Sequence, residues 1–187
     1  MRITGGQARR RILASFKGLD IRPTSDQVRE ALFSILGQDL EGKRILDLFA
    51  GTGSLGLEAL SRGAERAVFI ESSPRAVALI RKNIEICGFK RQSLVLKRDL
   101  RRGLPALETM GGLPFDLVFI DPPYRKQLIP MVMAALVKKQ VLSPAAQVVA
   151  ETGREEVLGK TLATLDLTDT RTYGDTKIHF FIRRVEQ

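Results

Sequence analysis

Residues 45–56 read ILDLFAGTGSLG, and this stretch decides the fold. An apolar run of strand character leads into glycines spaced as G-x-G-x-x-G, and a helical apolar pattern follows over 54–62. An acidic residue, Glu71, lies 20 positions after Gly51. A strand, a glycine turn and a helix in this order indicate an α/β unit whose loop approaches a nucleotide-like ligand.

Strand-like and helical segments alternate along the chain beyond this stretch. Five short apolar runs separated by helical patterns indicate a parallel sheet that is covered on both faces. Two last strand-like runs meet at Gly174-Asp175, a turn dipeptide that favours an antiparallel hairpin. We predict an α/β, Rossmann-like fold with a mostly parallel seven-stranded sheet, a C-terminal antiparallel hairpin and a small N-terminal β/α extension. The predicted helices cover residues 24–36, 54–62, 74–87, 100–110, 126–138 and about 154–161.

Acidic residues end the first three predicted strands. Asp47 lies four residues before Gly51, where a carboxylate would repel a pyrophosphate but attract the cationic amino group and sulfonium of S-adenosylmethionine. Charge complementarity therefore favours the methyl donor over NAD. Glu71 and Asp99 are expected to accept hydrogen bonds from ribose hydroxyls and from the adenine amine, because ligands of open α/β sheets bind at the carboxyl ends of the strands.

The fourth predicted strand ends in Asp121-Pro122-Pro123-Tyr124. Two prolines stop the strand and stiffen the loop that follows. Such a loop would hold the Asp121 carboxylate and the Pro122 carbonyl against the N–H groups of an exocyclic amine. The Tyr124 ring would stack on a base that has left its own stack. The segment predicts methylation of an amino group on a nucleic-acid base.

Basic residues are concentrated in two regions of a chain whose formal net charge is +9. Residues 1–29 contain seven basic and two acidic side chains, and residues 81–102 contain eight basic and two acidic ones. Clustered positive charge indicates a polyanionic partner. We expect Arg9, Arg10 and Arg11 to contact nucleic-acid phosphates.

Other features narrow the class of protein. The chain has no apolar run long enough to span a bilayer and no secretory signal pattern, so a cytoplasmic protein is expected. Its single cysteine, Cys87, has helical spacing to apolar neighbours and is predicted to lie in the core. The single histidine, His179, lies in a strand-like run, and we assign it no catalytic role. No metal site is predicted.

In order and spacing, ILDLFAGTGSLGLEAL, VFIE, RD and DPPY resemble the class I S-adenosylmethionine-dependent methyltransferases that act on amino groups. The segment RPTSDQVREALFSIL and the late YGDTKIHFF resemble the bacterial small-subunit ribosomal RNA guanine-N2 methyltransferases of the RsmD type. The resemblance implies a target-amine clamp formed by Asp121, Pro122, Pro123 and Tyr124. It also implies that Arg22, Pro23 and Thr24 border the active site and, with the basic trio, contact the substrate. The implied cofactor contacts are Asp47, Phe49, Ala50, Gly51, Thr52, Gly53, Glu71, Ser72, Asp99 and Leu100.

These observations favour an enzyme that methylates the N2 amine of a guanine in 16S ribosomal RNA. Residues 1–40 would form an RNA-contacting extension and 41–187 the S-adenosylmethionine-binding domain. The partner would be ribosomal RNA or the small ribosomal subunit, and we expect a monomer. An adenine-N6 methyltransferase acting on DNA or RNA remains the first alternative, since DPPY serves both. An RNA-binding factor with a defunct cofactor site and an NAD-dependent oxidoreductase are two others.

Overall fold

The computed structural model describes residues 1–16, 26–123 and 128–184. Four α-helices lie in this part of the chain: α1 (Asp26–Leu36), α2 (Ser54–Ser61), α3 (Pro74–Cys87) and α4 (Leu128–Lys138). The described strands are β1 (Arg44–Leu48), β2 (Arg66–Glu71), β3 (Ser93–Lys97), β4 (Phe115–Ile120), β5 (Leu142–Gly153), β6 (Thr161–Leu162), β7 (Leu165–Tyr173) and β8 (Thr176–Arg183).

The strands form one sheet in the order β3-β2-β1-β4-β5-β8-β7-β6. The first five of this order are parallel, while β8 is antiparallel to both β5 and β7. In the register, Asp47 lies beside Phe69 on one side and Phe119 on the other. The carboxyl ends of β1, β2, β4 and β5 therefore meet at one edge of the sheet, which is where open α/β folds bind ligands.

Each face of the sheet has its own apolar core. On one face α1, α2 and α3 pack with the N-terminal residues Ile3, Ala8 and Leu13. On the other face α4 packs with the segment from Leu100 to Met110. The strands between these layers are apolar on both sides, as expected for a covered parallel sheet. In the described part of the chain, no helix has the length and apolar character needed to cross a membrane.

The predicted α/β class, the five parallel strands and the terminal hairpin at Gly174-Asp175 are confirmed. Helix α3 begins at Pro74 after the cap Ser73 and ends before Gly88, whose φ of 80° is left-handed, as its sequence predicted. Cys87 is buried in the core, as predicted. The predicted start of α1 at Thr24 lies outside the described residues.

Three expectations were wrong. The segment 100–110 forms two short 3-10 turns instead of a helix, because Gly103 (φ 99°) and Pro105 interrupt it. No helix forms over 154–161, because Val157 and Leu158 are its only large apolar residues and Gly159, a poor helix former, follows them. The sheet has eight strands instead of seven, because Thr161–Leu162 pairs with the start of β7.

A buried carboxylate, that of Glu58 on α2, attaches the N-terminal segment to the rest of the fold. Its Oε1 accepts hydrogen bonds from Thr4 Oγ1 (2.7 Å), from the Gly5 amide (2.8 Å) and from Arg62 Nε (3.0 Å). Its Oε2 accepts from the Thr4 amide (2.9 Å) and from Arg29 Nε on α1 (3.1 Å). The Glu58 and Arg29 side chains are fully buried. One carboxylate thus pairs with two guanidinium groups and orders a turn of backbone, while Asp26 supplies Arg29 with a second carboxylate at 2.9 Å.

We predict that Glu58→Gln lowers the free energy of unfolding by about 3–5 kcal/mol, because removing one partner of a buried ion pair leaves the other charge uncompensated. Urea denaturation followed by circular dichroism measures the change. The matched control is Glu65→Gln, an exposed carboxylate before β2, which should shift the stability by less than about 0.5 kcal/mol. Equal stability of the two variants would contradict the assigned role of Glu58.

Candidate active site

A cleft of about 640 Å³ opens at the carboxyl ends of the parallel strands. Most of the predicted cofactor and catalytic residues surround it. The structure brings together here Asp47, Phe49, Ala50, Gly51, Thr52, Glu71, Ser72, Asp99, Leu100, Asp121, Pro122 and Pro123. Tyr124, which was assigned to stacking on the base, lies outside the described residues.

The glycine loop between β1 and α2 is built from left-handed residues. Phe49, Gly51 and Gly53 have φ angles of 59°, 56° and 76°. The Gly53 amide bonds back to the Ala50 carbonyl at 2.6 Å, which closes the turn. Gly53 is the residue before α2 and does not line the cleft, so its role is to shape the loop. A left-handed Phe49 is a strained conformation of the kind that occurs at ligand sites.

Gly56, the third glycine of the pattern, lets α2 approach the sheet closely. A Cβ atom at this position would lie 2.4 Å from Cε1 of Phe69 on β2. Because the backbone comes this close, the Gly56 amide reaches Asp47 Oδ2 at 3.0 Å. The glycine therefore orients the Asp47 carboxylate as well as packing the helix.

Asp47 is 2% exposed, and its burial raises the pKa of its carboxyl to about 7. The hydrogen bond from Gly56 opposes this rise in pKa, and the negative charge of Glu71 adds to it. A cationic group bound beside Asp47 would restore the ionised form. The position suits the ammonium of an amino acid moiety.

Glu71, at the end of β2, binds backbone amides around the loop. Its Oε2 accepts from Gly51 N at 3.0 Å, and its Oε1 accepts from Ser72 N at 2.7 Å and from Ser73 N at 2.8 Å. A carboxylate oxygen has about two acceptor positions, so Oε2 keeps one for a ligand hydroxyl after the bond from Gly51. Sequence reasoning assigned Glu71 to the ribose and did not foresee that the residue also fixes the loop.

Asp99 follows β3 and is paired with Arg101. The guanidinium donates from Nη2 to Asp99 Oδ2 at 2.8 Å, and the Arg101 amide donates to Oδ1 at 3.0 Å. These bonds from Arg101 hold the pKa of Asp99 below its usual range. Asp99 is therefore an ionised acceptor at the edge of the cleft, a suitable partner for an exocyclic amine.

Asp121 ends β4 close to two other acids, Asp47 and Glu151. Burial raises the pKa of Asp121 well above its usual range, and the negative charges of Glu151 and Asp47 add to the rise. Its backbone amide reaches back to the Leu48 carbonyl at 3.4 Å. The acidic centre of the cleft is thus a place where a bound cation would be strongly attracted.

The predicted substrate-contacting arginines Arg9, Arg10 and Arg11 do not line this cleft. Arg9 and Arg10 border a separate shallow hollow of about 270 Å³, which also includes Asp26 and Glu30. The Arg11 guanidinium donates to the Ile86 carbonyl at the end of α3. All three arginines are exposed. Arg22, Pro23 and Thr24 lie outside the described residues.

Four functional candidates were missed by sequence reasoning. Asn83 on α3 bonds the Ala14 amide (2.8 Å) and donates to the Thr52 carbonyl of the glycine loop (2.9 Å), so it joins the N-terminal segment to the cofactor loop. Phe16 thereby reaches the cleft, where the guanidinium of Arg75 lies 5.5 Å from its ring centre. Glu151 lines the opposite wall. None of these contacts belongs to a local motif, so only the folded chain reveals them.

His179 lies in β8, and its side chain is buried in the sheet. His179 is buried, bonds Thr152 Oγ1 at 3.0 Å through Nε2, and has its pKa lowered to about 4 by burial and by Lys177. The imidazole of His179 does not line the cleft. Within residues 1–16, 26–123 and 128–184, no group of three or more His, Cys, Asp or Glu side chains is arranged to hold a metal ion.

The strand order, with its antiparallel strand beside β5, and the acid-lined cleft define the class I methyltransferase fold. An RNA methyltransferase from Salinibacter ruber, solved in complex with S-adenosyl-L-homocysteine, shares this fold with a TM-score of 0.66 at 20% identity, over 88% of this chain and 95% of that one. A hypothetical protein from Thermus thermophilus is closer in sequence, with a TM-score of 0.79 at 28% identity over 96% of this chain and 98% of that one.

The chain belongs to the family described as "Conserved hypothetical protein 95", whose model matches residues 1–182. Relatives named Ribosomal RNA small subunit methyltransferase D are found in Escherichia coli and Haemophilus influenzae. The first is 31% identical over 186 residues, which cover 100% of this chain and 91% of the relative. The second is 33% identical over 161 residues, which cover 84% of this chain and 81% of the relative. The resemblance stated from the sequence motifs is thereby confirmed.

The pKa of Asp47, about 7, predicts that affinity for S-adenosylmethionine depends on pH. The carboxylate form would attract the ligand's α-amino group, which stays cationic below its ordinary pKa of about 8. Binding therefore releases a proton, and affinity should fall as the pH drops from 7 to 5.5, approaching about tenfold per pH unit. Isothermal titration calorimetry in buffers of different ionisation enthalpy measures both the affinity and the released proton.

Asp47→Asn should weaken binding at pH 8 by about 1.5–3 kcal/mol and make the pH dependence shallower, because the charged acceptor is gone. The control Asp39→Asn changes an exposed carboxylate on the loop after α1 and should preserve the wild-type profile. A wild-type affinity that is constant between pH 5.5 and 7 would contradict the role assigned to Asp47.

Proposed function

We propose that this protein transfers the methyl group of S-adenosylmethionine to the exocyclic N2 amine of a guanine in small-subunit (16S) ribosomal RNA. One observation carries the proposal. The Asp121-Pro122-Pro123 segment lies in the same cleft as the glycine loop and Asp47, on the adjacent strand. A donor held by the loop would therefore present its methyl group toward the segment that binds the amine.

The cofactor half of the cleft is suited to each part of the donor. Asp47 would pair with the ammonium, Glu71 with a ribose hydroxyl and Asp99 with the adenine amine. Backbone amides of the glycine loop are already directed by Glu71, so little reorganisation is needed on binding. Phe16 and the N-terminal segment, attached through Asn83, would cover the bound nucleoside.

The catalytic half would act on the target amine. When bound, the donor supplies a methyl group whose C–S bond breaks, with its electron pair going to sulfur, as the amine nitrogen forms the new N–C bond. Asp121 and the Pro122 carbonyl would accept the two N–H groups, which directs the nitrogen lone pair toward the methyl carbon. The nitrogen then loses one proton, and the raised pKa of Asp121 makes its carboxylate a suitable first acceptor. Tyr124 is proposed to stack on the base.

The choice of RNA and of guanine has separate support. The Escherichia coli and Haemophilus influenzae relatives are named for methylation of small-subunit ribosomal RNA. The guanine N2 position follows from the motif resemblance. The exposed arginines of the N-terminal segment supply the positive charge that an RNA partner requires. We further propose that the protein is a cytoplasmic monomer with an RNA-contacting extension over residues 1–40 and a catalytic domain over 41–187.

Methyl transfer from labelled S-adenosylmethionine to small ribosomal subunits, and to RNA extracted from them, tests the proposal when both come from a strain that lacks this protein. Nucleoside analysis should identify N2-methylguanosine as the labelled product. Asp121→Asn should lower turnover by about a hundredfold or more while donor affinity changes little, since Asp121 is assigned to the amine. Labelled N6-methyladenosine, in RNA or in added DNA, would contradict the proposed function and support the adenine-N6 alternative.

The N-terminal arginines are predicted to contribute to RNA affinity through phosphates. Arg9→Gln/Arg10→Gln should reduce the slope of log affinity against log salt by roughly 1.4–1.8, because each lost phosphate contact accounts for about 0.7–0.9 of the slope. Filter binding to small-subunit RNA at several salt concentrations measures it. Arg11 is left unchanged because it bonds the end of α3.

Lys138→Gln/Lys139→Gln is the matched control for the arginine pair. These exposed lysines lie at the carboxyl end of α4, on the opposite face of the sheet from the N-terminal segment. The control removes the same charge, so a general effect of net charge would change both slopes equally. Equal slopes for the two double variants would contradict the prediction that Arg9 and Arg10 contact RNA phosphates.

A further inference from the structure

The cleft contains a second carboxylate beside Asp121 that the proposed methyl transfer does not use. Ile120 and Ala150 are paired in register on the parallel strands β4 and β5, so Asp121 and Glu151 follow at the same level. Neighbouring strands are about 4.8 Å apart. Both side chains line the cleft, and the charge of Glu151 contributes to the raised pKa of Asp121. The two carboxylates are therefore close enough to meet one ligand together.

Glu151 is held more firmly than Asp121. Its backbone lies within β5 and pairs with Ile178 of β8 on the far side, so it belongs to the interior of the sheet. The Thr176 hydroxyl donates to Glu151 Oε1 at 3.5 Å. The start of α4, including buried Ile129, forms an apolar wall of the same cleft. A rigid acceptor beside an apolar wall is suited to reading the edge of a planar base.

We propose that Glu151 selects guanine by accepting the N1–H of the target base while Asp121 accepts from the N2 amine. This inference rests on the proposed function. Guanine presents N1–H and N2–H side by side on its Watson–Crick edge, which matches two adjacent acceptors. Adenine presents a bare N1 lone pair next to its amine, and that lone pair would face the Glu151 carboxylate and repel it. An enzyme that reads a base removed from its stack distinguishes bases by such contacts.

The base analogue 2-aminopurine tests this contact. It keeps the N2 amine that receives the methyl group but has a bare N1 acceptor in place of N1–H. It also lacks the O6 carbonyl, so variants of Glu151 are needed to assign a preference to N1. Once nucleoside analysis has located the modified guanine, an RNA oligonucleotide spanning it is made with guanine or 2-aminopurine at that position. Methyl transfer to each gives kcat/KM. The wild type should prefer guanine by about a hundredfold or more, as sites that hydrogen-bond a substrate N–H reject analogues without it.

Glu151→Gln should largely abolish this preference, because a side-chain amide can donate N–H to the bare N1 as well as accept from N1–H. The variant is expected to methylate 2-aminopurine faster than the wild type does, a gain that loss of folding cannot produce. Glu151→Asp keeps the carboxylate and should keep the guanine preference at a lower rate. The control Glu155→Gln, an exposed residue just beyond β5, should behave as the wild type. Calorimetric affinity for S-adenosylmethionine is measured for each variant.

Two results would overturn the inference while leaving the proposed function intact. One is a wild type that methylates guanine at N2 but uses 2-aminopurine equally well. The other is a Glu151→Gln variant that loses activity on both bases in the same proportion. A wild type that produces no N2-methylguanosine in the subunit assay would overturn the proposed function itself, and this inference with it.

Discussion

The contact between Gly56 and Phe69 is the constraint on which the rest of the structure depends. Because no side chain fits between them, α2 lies directly on β2, and its Gly56 amide fixes Asp47. Two residues further along the same helix is Glu58, whose carboxylate orders Thr4 and Gly5 and binds Arg29 of α1. The glycine loop, the helices of this face and the N-terminal segment thus all depend on the position of α2, and a shift of α2 would displace all three.

The acidic residues of the cleft are electrostatically unfavourable in the empty protein. Asp47, Asp121 and Glu151 lie at the carboxyl ends of adjacent strands, and burial raises the pKa of the first two. The charge of Glu71 adds to the rise for Asp47, and the charges of Glu151 and Asp47 add to the rise for Asp121. Carboxylates placed this way destabilise the empty protein and favour a cationic ligand. The charge network at Glu58 differs, because there each buried carboxylate oxygen meets a guanidinium. The fold therefore pairs the charge of Glu58 with guanidinium groups, whereas the charges of Asp47 and Asp121 would be offset by a bound cation.

Most of the fold could be predicted from the sequence because its signals are local. Apolar strands of four to six residues, the Ser73–Gly88 caps and the glycine pattern each specify their own geometry. The two helix failures have different causes. Around Gly103 the apolar residues have helical spacing, but Gly103 and Pro105 interrupt the chain, whereas around Gly159 too few residues are apolar to form a helix face. At the site, acids at strand ends could be assigned because topology gathers them. Asn83, Phe16 and the double role of Glu71 could not, because each depends on contacts between distant segments.

The structure suggests that affinity for RNA and selectivity for the base arise in different parts of the described chain. Phosphate contacts position a nucleic acid but do not read its sequence. The exposed Arg9 and Arg10 can therefore supply affinity and orientation while leaving the choice of base open. A pocket that binds N–H groups rejects bases that lack them, because its buried acceptors would otherwise stay unpaired. Under the proposed function, Asp121 and Glu151 would act as such acceptors, since they follow paired residues of adjacent strands. Base identity would then be decided by the sheet, the most rigid part of the fold, and RNA placement by the surface of the N-terminal segment.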